Sequence, residues 1–242
     1  MKIAVDRSSF LIFLRALKSF CSIAPFYVKG NVLSVSVFDA PHYRACVGRL
    51  QVNLEGGRPL EFAVEVKPLI QIVEALQGRR AEFMVGDGYV TFKNKNDTFS
   101  SIHRIKTHDE KELERIKYQH NPAYTTTALA LNMQKKTLTQ ILSYGGKLIS
   151  FIAKNKTLTV TLQCDVKTSM FMLRNAKVIT KKPTASMPYS TRLLKETLEP
   201  LQPEASLTLA FGDDTPLEIS HPLQGGKLTY IIAPTQIENE EQ

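Results

Sequence analysis

Apolar residues recur at helical spacing in four places along the chain. The first stripe has Phe10, Phe13, Leu14 and Leu17, and the second Leu69, Ile72, Val73 and Leu76. The third has Leu138, Ile141 and Leu142, and the fourth Leu194, Leu198 and Leu201 with Thr197 among them. An i, i+3, i+4, i+7 pattern predicts an amphipathic helix with one buried face. The first members of the stripes are separated by 59, 69 and 56 residues, which predicts four copies of one unit.

Between the stripes lie short runs of β-type residues: Val32–Val37, Tyr89–Phe92, Thr157–Leu162 and Leu207–Phe211. Turn residues punctuate them at Gly30-Asn31, Gly86-Asp87-Gly88, Lys154-Asn155-Lys156 and Gly212-Asp213-Asp214. Such runs bounded by Gly, Asn and Asp predict antiparallel strands joined by tight turns. Each unit therefore reads as one helix followed by several strands. Two units make a domain and two domains make the chain, an α+β fold of two similar domains, each with antiparallel sheets and two helices. The segment from Lys106 to Pro122 fits neither period and is charge-rich, with His108-Asp109-Glu110-Lys111-Glu112 at its start. It predicts a connector, and the expected layout is 1–105, connector 106–122, and 123–242.

Composition narrows the function. The chain has 242 residues, is 43% hydrophobic, and carries 31 Lys and Arg against 23 Asp and Glu, a formal charge of +8. A basic balance fits a polyanionic partner. No apolar run approaches the roughly 20 residues of a membrane span, and Met1–Asp6 lacks the apolar run of a signal peptide, so the expected location is intracellular with no membrane partner. Cys21, Cys46 and Cys164 are odd in number and far apart, which predicts reduced thiols rather than a disulfide frame.

No catalytic constellation, metal site or cofactor motif is found. Gly86-Asp87-Gly88 reads as a hairpin turn rather than a phosphate loop. Asp213-Asp214 reads as a turn rather than a metal-binding pair. His42, His103, His108, His120 and His221 are scattered. The expectation is a protein that does no chemistry itself.

Several spaced motifs resemble the DNA sliding clamp family, that of proliferating cell nuclear antigen. The C-terminal region carries most of the likeness: Asp214-Thr215-Pro216-Leu217-Glu218-Ile219, then Gly226-Lys227-Leu228-Thr229-Tyr230-Ile231-Ile232-Ala233-Pro234, then the acidic Glu238-Asn239-Glu240-Glu241. Leu14-Arg15-Ala16-Leu17-Lys18 resembles the family's first helix, and Phe38-Asp39-Ala40-Pro41-His42 its hydrophobic-Asp-x-x-His segment. Leu142-Ser143-Tyr144 matches the third helix.

The resemblance implies a ring, usually a homotrimer, with helices lining the hole and sheets outside. Such a ring encircles double-stranded DNA, gives a DNA polymerase its processivity in replication and repair, and is placed by a clamp loader. It acts at DNA, in the nucleus of a eukaryote or nuclear virus or the cytoplasm of an archaeon. DNA contacts should be loose and phosphate-directed. Lys18 and Arg192 match basic positions of the family's inner helices. Arg15, Lys67, Arg79, Arg80, Lys135, Lys136, Lys147 and Lys195 lie in or beside the helical segments.

The chain also departs from the family. Leu11, Gln71, Glu74 and Glu199 stand where Lys or Arg is usual, and the chain is basic where typical members are acidic. By the same resemblance, short peptide motifs of polymerases and other clamp-binding proteins should enter an outer pocket. That pocket would be lined by Phe38, His42, Pro216, Tyr230, Ile231, Ala233 and Pro234, with connector residues Ile116 and Tyr118. Subunits should meet through edge strands at Ser100 to Lys106 (Ser101, His103, Ile105) and Thr168 to Arg174 (Met170, Phe171, Met172, Leu173). Alternatives are a checkpoint or viral clamp-like subunit that forms no homotrimer, a basic DNA-binding module, or a small enzyme.

Overall fold

The structure, a computed structural model, describes residues 1–56, 58–95, 100–108, 128–174, 176–180 and 182–235. They fall into two compact units. One lies within Met1–Pro41, Ala45–His120 and Pro222–Leu228, the other within His42–Arg44, Asn121–His221 and Thr229–Gln242. Of the expected connector, Lys106 closes a strand and His108 N donates to Ala63 O at 2.9 Å. Positions 109–122 lie outside the described residues.

The first unit runs β1 (Lys2–Asp6), α1 (Arg7–Lys18), β2 (Ile23–Lys29), β3 (Val32–Asp39) and β4 (Arg44–Glu55). The order then repeats as β5 (Leu60–Glu65), α2 (Val66–Ala75), β6 (Arg80–Gly86), β7 (Tyr89–Lys95) and β8 (Ser100–Lys106). Its strands neighbour one another in the order β5-β2-β3-β4-β1-β6-β7-β8. The second unit opens with β9 (Ala128–Gln134), α3 (Lys135–Ser143), β10 (Leu148–Lys154), β11 (Thr157–Cys164), β12 (Lys167–Leu173) and β13 (Lys177–Thr180). It continues with β14 (Thr184–Ala185), β15 (Tyr189–Ser190), α4 (Thr191–Leu198), β16 (Ser206–Phe211), β17 (Leu217–Leu223) and β18 (Gly226–Ile232).

The four predicted helices and the β-α-β-β-β repeat are thus present, with antiparallel pairing. The second copy departs where two long strands are cut. In the first unit β4 pairs with β3 and then, through Val52–Glu55, with β1. In the second unit those two roles fall to separate strands: β12 pairs with β11, and β13 with β9. Likewise β14 and β15 together hold β10 where β5 alone holds β2.

Both cores follow from the stripes. In the first, Phe10 stacks on Phe83 at 5.9 Å, Phe26 on Phe62 at 5.3 Å, and Phe92 lies 5.2 Å from Phe83. In the second, Phe151 contacts Phe211 at 5.6 Å, with Leu138, Leu142, Leu194 and Leu198 buried beside the sheet. Thr197, in the fourth stripe, is fully buried too. No described helix is long and apolar enough to cross a membrane.

In each helix pair the first residue of one helix is a cation that reaches the end of the other. Asp6 caps α1 by accepting from Ser9 N at 2.8 Å, and the next residue, Arg7, reaches across to α2. Its Nε donates to Val73 O at 2.9 Å and its Nη2 to Glu74 O at 2.7 Å. Lys135, also the first residue of its helix, donates to Glu199 O and Leu201 O past the end of α4. Terminal helix carbonyls lack intrahelical partners, and a cation there also favours the helix dipole. Burial pulls the Lys135 ammonium below its ordinary pKa, with Glu199 opposing.

Two outcomes are expected. Arg7→Ala should lower stability by about 1–2 kcal/mol, because charged donors leave backbone acceptors, measured by urea unfolding. Gly48→Ala should lower it as well, by about 1–3 kcal/mol from overpacking: a Cβ there would sit 1.7 Å from Phe13 Cε2. Pairing Gly48→Ala with Phe13→Leu should recover part of that loss.

Candidate nucleic-acid interface

The outward helix faces carry the charge. The second residue of every helix is exposed: Ser8, Lys67, Lys136 and Arg192. Three of these four are cations, and none of the helices has an acid in its first turn. A cation at a helix N-terminus opposes the dipole by about 0.3–1 kcal/mol, so helix stability does not explain the pattern. It concentrates positive potential at helix starts.

Of the ten basic residues named in or beside the helices, Lys135 is turned onto the end of α4, and the nine expected to face DNA divide into two groups. Three are engaged by acids. Arg15 Nη2 lies 2.8 Å from Glu74 Oε1 and links α1 to α2. Arg192 Nη1 is 3.1 Å from Glu196 Oε1, one helical turn on. Lys147 Nζ is 2.7 Å from Asp165 Oδ2, and that carboxylate holds the Lys147 ammonium above its ordinary pKa. The other six, Lys18, Lys67, Arg79, Arg80, Lys136 and Lys195, are exposed and make no ion pair among the described residues. Arg79 and Arg80 border a shallow groove with Gln51, Asn53 and Gln224. At the positions where the sequence departs from the family pattern, Leu11 is half-buried, while Gln71, Glu74 and Glu199 are exposed.

Pattern reading missed the structural work of three cations, of which it named only Lys135. Arg7 and Lys135 cap neighbouring helices, and their shared place at the first helical position was the available signal. Arg44 is only 4% exposed and meets Glu196 Oε2 at 3.0 Å. Its partner lies 152 residues away, so nothing local marks it. Glu196 thus serves two guanidiniums, one buried and one exposed.

The expected partner-peptide residues differ in accessibility. Phe38 is 41% exposed in the first unit. In the second, His42, Pro216, Ala233 and Pro234 keep surface, beside Tyr43 at 70% exposure. Ala233 N donates to Tyr43 O at 3.0 Å, which fixes that backbone. Tyr230 is fully buried and Ile231 nearly so, because β18 is covered on both faces. Their side chains are occupied by strand packing. Ile116 and Tyr118, and the acidic Glu238–Glu241, lie outside the described residues.

The expected subunit-contact residues sit on β8 and β12, each hydrogen-bonded to a single neighbouring strand among the described residues. On β8, Ser101 and His103 are half-buried and share a 2.9 Å hydrogen bond, and Ile105 is buried. On β12, Met170 and Met172 are exposed, whereas Phe171 and Leu173 are half-buried and Phe171 rests 5.0 Å from Tyr144. Phe171 and Leu173 therefore face the inner side of the strand, and Met170 and Met172 are its open surface.

Among the described residues no group of three or more His, Cys, Asp or Glu is placed to hold a metal. Asp213 and Asp214 form a turn, with Asp214 at φ 55° and Asp213 facing Lys182 at 3.4 Å. The three cysteines are free, and burial, with Asp39 adding, pushes the Cys21 thiol up to about 12.

The Arg44–Glu196–Arg192 trio gives a graded expectation. Glu196→Ala leaves Arg44 buried without this carboxylate and should lower stability by about 1–3 kcal/mol. Arg192→Ala removes only an exposed pair and should change it by less than about 0.5 kcal/mol. Thermal unfolding of the two variants side by side measures the difference.

No protein-family model matches this chain, and no curated protein matches it in sequence. Solved structures do match in fold. The proliferating cell nuclear antigen (PCNA) of Thermococcus kodakaraensis superposes with a TM-score of 0.83 at 17% identity, over 97% of this chain and 99% of that one. The PCNA of A. fulgidus, in a structure with the C-terminal region of FEN-1 bound, gives 0.83 at 16% identity over 99% of each chain. The PCNA2–PCNA3 complex of Sulfolobus tokodaii gives 0.81 at 16% identity over 97% and 99%. The chain therefore has the two-domain fold of the PCNA-type sliding clamps.

Proposed function

We propose that this chain is a subunit of a DNA sliding clamp: it encloses duplex DNA inside the cell, tethers a DNA polymerase and other replication and repair proteins, and catalyses nothing itself. The observation that carries this reading is the repeated placement of Lys67, Lys136 and Arg192 at the exposed second position of helices whose first turns hold no acid. The clamp fold supplies the reason for four such helices, since in a ring their outward faces become the wall of the hole. Lys18, Lys195, Arg79 and Arg80, exposed and without ion pairs among the described residues, extend the same positive surface. Long, mobile side chains suit a clamp, because fixed contacts to particular bases would resist sliding.

Partners follow from the same reading. The PCNA of A. fulgidus binds a FEN-1 C-terminal segment, and a comparable short peptide here would meet the surface offered by His42, Tyr43, Pro216, Ala233 and Pro234. A closed ring also requires a clamp loader to open it onto DNA.

The test is topological. The assembled protein, loaded on a nicked circle, should stay bound in high salt and slide off once the circle is linearised. A simple basic module, held by charge alone, should leave both substrates alike as salt rises. Equal salt-driven release from circular and linear DNA would refute encirclement. Replacing Lys67 and Lys136 with Gln should lower the salt slope of binding by about one unit for each phosphate contact removed, with unfolding curves unchanged.

A further inference from the structure

Away from its helices, the sheet of the first unit carries a basic groove that the clamp reading does not use. In β2 and β3, Phe26, Val28, Leu33 and Val35 are buried, and Phe26 lies against Phe10 and Phe13 of α1. Side chains alternate along a strand, so Tyr27, Lys29, Val32 and Ser34 stand on the face turned away from α1. There they meet Arg49 and Gln51 of β4 and Lys227 of β18 around a groove of about 560 Å³, all within the first unit. The strands run side by side in the order β2-β3-β4-β18. Gln51 N donates to Gly225 O at 2.7 Å and Val52 N to Asn31 O at 2.9 Å, which ties two hairpin turns to β4. Gly226 lets β18 close on β4, because a Cβ there would sit 2.1 Å from Arg49 O.

Among the described residues the lining of this groove holds three cations and no acid. Lys29, Arg49 and Lys227 are exposed and make no ion pair among the described residues. Like charges brought together across a sheet oppose one another, so folding gains nothing from the cluster, whereas a bound anion would relieve it. Lys29 and Lys227 stand three strand spacings apart, roughly 14 Å. One phosphate or one carboxylate cannot answer both, but a chain of phosphates can. Tyr27 is 40% exposed at the β2 end, and Ser34 Oγ donates to its backbone oxygen at 3.1 Å. Glu61, exposed on β5, stands opposite Tyr27 in register. Its carboxylate disfavours a phosphate over the ring and leaves the ring face to an uncharged group. An aromatic side chain beside a track of cations is how single-stranded nucleic acid is held: a base stacks on the ring and the cations follow the backbone.

We propose that this groove binds single-stranded nucleic acid, with a base on Tyr27 and successive phosphates on Lys29, Arg49 and Lys227. The site lies on the sheet, apart from the helix cations, and does not depend on the clamp reading. Together with that reading it gives the chain two nucleic-acid surfaces, helix faces for the duplex and a sheet groove for an unpaired strand.

The probe is a short labelled oligothymidylate, followed by fluorescence anisotropy with the full chain in low salt. Arg49→Gln with Lys227→Gln should weaken its binding about tenfold, and should lower the salt slope by about 0.7 for each phosphate contact removed. Tyr27→Ala should weaken it by a similar factor through lost stacking, and Tyr27→Phe should restore it. Neither change should alter the salt slope of duplex binding. Circular dichroism melts check that the variants are folded. An oligothymidylate carrying 5-iodouracil should photocross-link to Tyr27, located by mass spectrometry; this arm uses the wild type and needs no variant to fold. The proposal is overturned if the folded double variant binds the oligonucleotide as the wild type does, or if the cross-links fall only on the helices. It is overturned equally if thymidine monophosphate or a polyglutamate peptide competes as tightly as the oligonucleotide, since the groove would then serve a lone anion or an acidic protein. Failure of the clamp reading is a separate result, equal release from circular and linear DNA, and leaves the cross-link at Tyr27 unchanged.

Discussion

In each unit a cation at the start of the first helix serves the end of the second. Arg7 bridges from the start of α1 to the carbonyls of Val73 and Glu74, and Lys135 does the same from α3 to Glu199 and Leu201. The helices have 8 to 12 residues, too short to persist in water on propensity alone. Burial of their stripes holds them on the sheets. The cross-helix cap then sets how the two lie side by side, because it fixes the start of one against the end of the other. A surface made of helix faces is only as well defined as that arrangement. Arg7 and Lys135 therefore contribute to the positive face by ordering it, with their own charges turned inward.

That division of labour recurs across the basic residues. Counting Lys and Arg gives an excess, but the fold spends part of it internally. Arg44 is buried on Glu196, and Arg15 is matched to Glu74. Of the expected DNA-facing cations, those left without an ion pair among the described residues are Lys67 and Lys136 at helix starts, Lys18 and Lys195 further along their helices, and Arg79 and Arg80 at the start of β6. The departures from the usual pattern fit this redistribution: Glu74 stands at a usual Lys or Arg position and faces Arg15, while the exposed cation of α2 is at Lys67. The positive field is thus kept although individual positions have moved. Such substitution is physically cheap wherever a surface acts through its summed field rather than through fixed contacts.

How far the sequence reveals this structure depends on whether a feature is periodic or pairwise. The four helices were readable because a buried face must repeat every three to four residues, and the hairpins because Asp87-Gly88 and Asn155-Lys156 adopt the positive φ their turns need. The division of one long strand into β12 and β13 was not readable, since both pieces keep a strand pattern and only pairing with β11 and β9 separates them. The trio around Glu196 depends on a contact across 152 residues and leaves no local mark. Met170-Phe171-Met172-Leu173 was readable as a sticky strand. Which of its faces is open follows only from the contact of Phe171 with Tyr144, so the methionines, rather than Phe171, are the surface residues. Tyr230 stood in a motif and is wholly packed inside, as an aromatic in a strand covered on both faces must be.

The basic residues therefore meet two different physical demands. Arg7, Lys135 and Arg44 are held by backbone carbonyls or by a carboxylate, and their charges fix how neighbouring elements lie. Lys18, Lys67, Lys136 and Lys195 are exposed and make no ion pair among the described residues, so they keep the rotamer freedom that a fixed partner would remove. A cation of the first kind must be answered at one distance and one angle, and its loss leaves a buried acceptor without its donor. A cation of the second kind acts through its field, which depends on how many charges share a face and hardly on where each one stands. Positions of the first kind are therefore fixed by the fold, whereas those of the second can move along a helix at little cost in stability.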